Sequence, residues 1–331
     1  MTIIDCHSHT FCAAVNGRVA DSYKTEYVPY QRDMSDESKA VDQAQFPVLG
    51  PKFNNIALRN ELLDSMRIDQ QVVAPAPGLQ HYWAQPDLLA DISRLQNDHV
   101  ADLVAQESKR YFGLGTLPMT DVEAAMTEAT RAVEEHGLRG FQIDSRVMDH
   151  ELSDARFDPL YRQLVKLDTP LMIHPLGFSH GQRLSHFFMV NTVGQPLEEI
   201  MAINHLIFGG VLDRHPELRV LIVHGGGYFP FYVGRMDHAW AYRPELKRLT
   251  SKRPSDYLSS LWYDTCVFRP DHVKTLVDLA GADCVMLGSD FPFDMGDPDP
   301  LGTVEKAGLT AQELKKVCGE TAQEFFRLPQ V

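Results

Sequence analysis

The chain has 331 residues, 44% of them hydrophobic and 23% charged, with a formal net charge of −14. That is the balance of a globular protein with a sizeable core, and an acidic chain without a basic block excludes nucleic acid and anionic membranes as partners. The N-terminus has neither the basic flank nor the apolar core of a signal peptide, and no run approaches the roughly 18 apolar residues of a membrane span, so a cytoplasmic protein is expected.

The chain opens on "IIDCHSH", a short β-branched run that reads as a strand. A polar excursion follows, about residues 10–55, long enough for a lid or a small subdomain. From Ile56 the pattern becomes regular. Helical periodicity in "IALRNELLDSM" leads to "QQVVAPAP"; a helix over 86–106 leads to "YFGLGTLP"; a helix over 121–135 leads to "GFQIDS"; and a helix over 158–167 leads to "PLMIHP". A second insert, about 176–195, precedes an apolar helix ending near Asp213. Then come "LRVLIVHGGG", a helix through "FPFYVGRMDHAW", "LWYDTCVF", a helix over 271–279, "CVMLGSDFP" and C-terminal helices from Thr310. Eight strands alternate with helices, which predicts an α/β fold, a distorted (β/α)8 TIM barrel with inserts after strands 1 and 5. No Gly-, Pro- or Ser-rich linker divides the chain, so residues 1–331 are expected to form one domain.

Barrel active sites lie where strands end and loops begin. His7 and His9 close the first run, His174 the fifth, His224 the sixth and Asp290 the eighth. Alternation along a strand puts His7 and His9 on one face, and leaves Cys6 on the other as a core residue. Imidazoles and a carboxylate at one rim suit a borderline divalent ion, zinc before manganese, with three or four protein ligands and an open position. His224 stands before three glycines that leave the backbone bare for a substrate, which favours proton transfer as its role. The five cysteines, Cys6, Cys12, Cys266, Cys284 and Cys318, lack a Cys-x-x-Cys pair, so neither a disulfide framework nor a zinc ribbon is expected.

The motifs "DCHSH", "IHPLG", "HGGGYFPFYVGRMDHAW" and "VMLGSDFPF" together resemble the amidohydrolase superfamily, in particular its branch of aminocarboxymuconate-semialdehyde decarboxylase-like enzymes. The resemblance implies one divalent metal held by His7, His9, His174 and Asp290. It also implies His224 as the proton-transfer residue, with Asp290 sharing in it. "GFQIDS" lacks the lysine that bridges two metals in hydrolytic relatives, so a mononuclear site is expected. Arg235 matches an arginine that reaches into a neighbouring subunit's pocket to hold a substrate carboxylate, which implies a homodimer or higher homo-oligomer. Where the family carries a second carboxylate-binding arginine, "QFPVLGPKFNNIAL" offers only Lys52. Phe293, Trp83 and Tyr82 match aromatic pocket positions, Phe293 and Trp83 being taken as substrate contacts. The expected activity is metal-dependent, non-oxidative decarboxylation of an unsaturated or aromatic carboxylic acid, of aminocarboxymuconate-semialdehyde or hydroxybenzoate type. A hydrolase or hydratase of a ring-cleavage product on the same scaffold is the alternative.

Overall fold

Each of the eight apolar runs becomes a strand in the computed structural model, which describes residues 1–250 and 252–329. Ser251, Gln330 and Val331, all within the expected 1–331 domain, lie outside the described residues. The strands are β1 (Ile4–Thr10), β2 (Gln70–Pro75), β3 (Tyr111–Gly113), β4 (Phe141–Ile143), β5 (Leu171–Ile173), β6 (Val220–Ile222), β7 (Trp262–Asp264) and β8 (Val285–Met286). Neighbours pair in parallel from β1 to β3 and from β4 to β8. Two bridges close the ring. Gly115 pairs with Phe141 between β3 and β4, and Ser8 pairs with Phe291 between β1 and the segment after β8. Cys6 N donating to Leu287 O at 2.8 Å and His9 N donating to Phe291 O at 2.7 Å complete that seam. Most strands are only two or three residues long, so the barrel is distorted as predicted.

Apolar side chains of one parity fill the barrel: Ile4, Val72, Phe112, Met172, Leu221 and Met286 share one buried cluster, which the C-terminal Phe325 and Phe326 join. The opposite parity, including Val73, Ile143, Ile173, Ile222 and Val285, packs outward under the helices. Burial on both faces explains why these strands read as continuous apolar runs. The helices begin where the sequence supplies start signals: Asp121 Oδ1 accepts from Glu123 N and Ala124 N ahead of Val122–Glu134, and prolines open Pro86–Gln106 and Pro270–Ala280.

The first insert departs from the expected polar excursion. It contains the nineteen-residue helix Asp36–Asn54, capped by Ser35, with Pro47 and Pro51 inside it. Two internal prolines argue against a helix, yet only Phe53 of this element is buried, so the freed carbonyls face solvent. After β4 comes a hairpin that the sequence did not signal, Arg146–Val147 against His150–Glu151. The second insert forms a 3-10 turn, Gly181–Leu184, and a short helix, Met189–Thr192.

Candidate metal centre

A register shift between Asp5 and Ser8 on β1 sets the first two histidines. The bulge breaks strict alternation, so Asp5 and His7 no longer share a face. Asp5 turns outward, accepting from Gln71 Nε2 (2.7 Å), Ser289 Oγ (2.6 Å) and the backbone N–H of His7 (3.1 Å) and Ser289 (3.0 Å). One buried carboxylate thus ties the backbone beside His7 to the backbone beside Asp290. Ser8 also turns outward, accepting from Arg59 Nη2 at 2.9 Å, while Arg59 Nη1 donates to His9 O at 2.9 Å. Cys6 is buried as expected, but in the interior cluster with Ile4, because the bulge lets both Cys6 and His7 point inward.

His7, His9, His174 and Asp290 come together as predicted; all four are buried, and one ligand atom from each lies within 4.8 Å of the others. Their partners fix the ring tautomers. His7 Nδ1 lies 2.6 Å from Asp264 Oδ2, His9 Nδ1 lies 3.4 Å from Pro75 O, and His174 Nδ1 lies 2.9 Å from Pro175 O. Every one of these partners accepts, so each Nδ1 carries the hydrogen and each Nε2 presents a lone pair. Burial pushes His9 down to about 4 and His174 to about 3, which keeps both rings neutral. The Nε2 atoms of His7 and His9 face each other at 3.1 Å, and Asp290 Oδ1 lies 3.0, 3.4 and 3.9 Å from the Nε2 atoms of His9, His7 and His174. His174 Nε2 is buried and has no hydrogen-bond partner among the described residues. Four converging lone-pair donors repel one another unless a cation lies between them, so the residues present fit a divalent ion.

His224 stands over this cluster, its ring centroid 5.1 Å from that of His174, and Nε2 3.6 Å from Asp290 Oδ2. Its Nδ1 meets Glu199 Oε1 at 2.5 Å. Burial opposes charging His224, but the carboxylates of Glu199 and Asp290 outweigh it and hold its pKa well above the ordinary value. His224 and Asp290 both have left-handed backbone, φ 52° and 59°, a strained conformation for such residues. A hydrogen bond from Asp290 N to His7 O at 2.9 Å holds the latter.

The glycines after His224 have a packing reason as well as the expected one. A Cβ on Gly225 would lie 2.4 Å from Val267, and one on Gly227 would meet Pro196 O and Glu199 Oε2 at 2.6 and 2.7 Å. The run is bare because the protein's own groups, Glu199 among them, stand where its Cβ atoms would lie.

The remaining expected residues are spread out. Phe293 is at the centre, its ring 5.2 Å from that of His9. Trp83 stacks on Tyr27 and, with Tyr82, lines an adjoining cavity instead. Arg235 is exposed on the helix Phe229–Tyr242, with no ion pair among the described residues; the acids beside it are otherwise engaged, Asp237 by Ser255 N and Glu245 by Arg243. Lys52 lies half-buried in Asp36–Asn54. Sequence reasoning missed three supporting acids, Asp5, Asp264 and Glu199, of which Asp5 and Glu199 carry no signal of their own in the pattern above. Asp264 is the last residue of β7, so the strand-end criterion that picks out the histidines applies to it equally.

Comparison with known proteins gives the chain's family and its similarity to solved folds. The chain is 36% identical over 273 residues to 2-amino-3-carboxymuconate-6-semialdehyde decarboxylase of Dictyostelium discoideum, covering 82% of this chain and 76% of that one. It is 27% identical over 334 residues to gamma-resorcylate decarboxylase of Polaromonas sp., covering 95% and 99%. The fold superimposes with a TM-score of 0.82 on the crystal structure of a dihydroxybenzoic acid decarboxylase from Polaromonas sp. JS666 holding manganese and the inhibitor 2-nitroresorcinol, at 22% identity and covering 100% and 98%. Residues 4–328 match the Amidohydrolase family profile, and the chain belongs to that family.

Proposed function

We propose that this protein is a metal-dependent, non-oxidative decarboxylase of an unsaturated or aromatic carboxylic acid, working at a mononuclear centre of His7, His9, His174 and Asp290. The observation that carries the reading is the convergence of three bare Nε2 atoms and one carboxylate beneath a Glu199-held His224, in a chain whose sequence relatives include decarboxylases. β4 ends in Ile143 and is followed by Asp144, with no lysine to bridge a second ion. Zinc suits three imidazoles and one carboxylate. Manganese is the ion in the dihydroxybenzoic acid decarboxylase, and reconstitution separates the two.

When bound, the ion supplies a Lewis acid that orients a substrate oxygen and draws off electron density. His224 Nε2 donates a proton to the carbon bearing the carboxylate, with Nδ1 fixed by Glu199. The bond from that carbon to the carboxylate then breaks, its electron pair returns to the ring or enamine, and carbon dioxide leaves. Asp290 presents Oδ1 to the imidazoles and Oδ2 to His224, so it serves both ligation and the proton path. Phe293, against His9, forms an apolar wall that destabilises the departing carboxylate's charge.

Exposed Phe231, Tyr232 and Tyr242 beside Arg235 support a homodimer in which Arg235 enters the partner's pocket. The five cysteines are unpaired and buried, which supports a cytoplasmic setting, and no helix among the described residues is long and apolar enough to cross a membrane.

Metal-stripped protein, reconstituted with zinc or manganese, tests the reading against hydroxybenzoates and carboxymuconate-type acids. Metal-dependent carbon dioxide release from at least one acid is expected. Metal-dependent hydration or hydrolysis without carbon dioxide would overturn it in favour of the alternative chemistry.

A further inference from the structure

Arg59, on the helix Ile56–Ser65, is fully buried yet forms no ion pair among the described residues. Its guanidinium donates from Nε to Gln71 Oε1 at 2.8 Å, from Nη1 to both His9 O (2.9 Å) and Phe53 O (3.0 Å), and from Nη2 to Ser8 Oγ (2.9 Å). The ring centroids of Phe291 and Tyr111 lie 4.9 and 5.7 Å from Cζ. Asp5 is reached only through Gln71, whose Nε2 donates to Asp5 Oδ2 at 2.7 Å. A buried charge with no counter-charge in contact costs stability, and an apolar side chain of similar volume often fills such a place as well or better. The reason for a guanidinium here therefore lies in what it holds.

Its partners sit on separate segments around the metal centre. His9 and Ser8 belong to β1, Gln71 to β2, and Phe291 follows Asp290 directly, whereas Phe53 ends the first insert. One nitrogen, Nη1, joins the carbonyl of a proposed ligand to the carbonyl of that insert. The same two residues are linked a second time through their rings. Phe53 lies 5.4 Å from Phe293 between ring centroids, and Phe293 lies 5.2 Å from His9.

The insert helix Asp36–Asn54 depends on this end. Pro47 and Pro51 remove two of its N–H donors, and Phe53 is its one buried residue, so its burial is concentrated in the last turn. Carbonyls in a last turn have no partner within the helix. Arg59 meets that of Phe53, and the Asn54 side chain beside it accepts from Thr10 Oγ1 at 2.7 Å and donates to Phe11 O at 2.7 Å. A lysine ammonium, a point charge without the planar fork, cannot span the same four acceptors.

We propose that Arg59 is a positioning residue that locks the insert helix Asp36–Asn54 to the metal ligand His9, so that seating of the Phe53–Phe293 wall and filling of the metal centre reinforce each other. Such coupling is reciprocal: whatever the ion does for the helix, the helix does for the ion. The inference rests on the metal-centre part of the proposed function and not on the reaction carried out there.

Amide hydrogen exchange followed by mass spectrometry, on the whole protein with and without zinc, tests it. Zinc should slow exchange over residues 48–54 about fivefold or more, the lower end of coupling between linked sites, beyond any change over the helix Val122–Glu134, which Arg59 does not touch. Arg59→Lys should remove this zinc-dependent protection and weaken zinc binding by a similar factor, whereas a merely structural role would speed exchange equally with and without zinc. Zinc-dependent protection that Arg59→Lys leaves intact would overturn the lock. So would equal protection of 48–54 and Val122–Glu134 in the unsubstituted protein, a result that needs no variant to fold. A chain that binds no zinc would sink the metal-centre reading, and the lock would then be judged on the metal-free protein. There Arg59→Lys must speed exchange over 48–54 about fivefold or more relative to Val122–Glu134, and equal rates would overturn it.

Discussion

Asp264 Oδ2 lies 2.6 Å from His7 Nδ1, and both side chains are fully buried. The pair orients the ring and leaves Nε2 bare, and the contact makes His7 a better donor to a cation. Asp264→Asn keeps the volume but can turn its NH2 toward Nδ1, favouring the wrong tautomer. Metal affinity should fall about 10- to 100-fold, measured by competition with a chromophoric chelator. Unchanged affinity would mean that Asp264 only packs.

Glu199 makes its side-chain hydrogen bond to His224, and its contribution is positional. Glu199→Gln should leave about one metal per chain while kcat falls on the order of 10²-fold, within the usual worth of general acid–base catalysis. The loss should fall on kcat with little change in KM, since Glu199 acts through His224. Loss of the metal, or a defect confined to KM, would contradict this role.

His81 links the cavity to stability. Burial pushes its pKa down to about 4 from an ordinary 6.5, so the folded protein binds its proton less well than the unfolded chain does. Its contribution is therefore fully present above pH 6.5 and is lost as pH falls towards 4, by on the order of 1 to 3 kcal/mol. In urea titrations, His81→Asn should flatten the decline of stability over that window relative to the unsubstituted protein. Parallel stability curves for the two proteins would show that His81 is not held neutral.

Arg235 tests assembly. Arg235→Ala and His224→Ala subunits should each be nearly inactive alone. If Arg235 completes the partner's pocket, a mixed dimer has one doubly defective site and one intact site. Random mixing in equal amounts then restores about one quarter of full activity. No recovery despite demonstrated subunit exchange would confine Arg235 to its own chain.

The strands were legible because burial on both faces makes each an apolar run; His174 and His224 were legible because they follow such runs directly, and His7 and His9 because they share a short spacing within the first. Asp290 was found by the same rule, although β8 itself ends at Met286. Of what supports the rim, Asp264 ends its strand and was open to the same rule, whereas the β1 bulge and Glu199 were not legible. The β1 bulge depends on pairing with β2, which no local pattern encodes. Glu199 sits on the helix Gly194–Phe208, twenty-five residues before His224, and the fold alone brings them together. The three glycines advertised open space, but not the approach of Val267, Tyr263, Pro196 and Glu199 from elsewhere in the chain, which also requires them. Pro47 and Pro51 hid the helix Asp36–Asn54 because an internal proline ordinarily breaks a helix by losing a hydrogen bond and clashing with the preceding turn, a cost this element bears.

The metal-loaded centre is expected to replace a carboxylate by a proton. Turnover in deuterium oxide, followed by mass spectrometry and NMR, tests it most directly. One carbon dioxide per product molecule and one deuterium at the carbon that bore the carboxylate are expected, with neither formed by chelator-treated or His174→Ala protein. A product that gains the elements of water and keeps its carboxylate would contradict it.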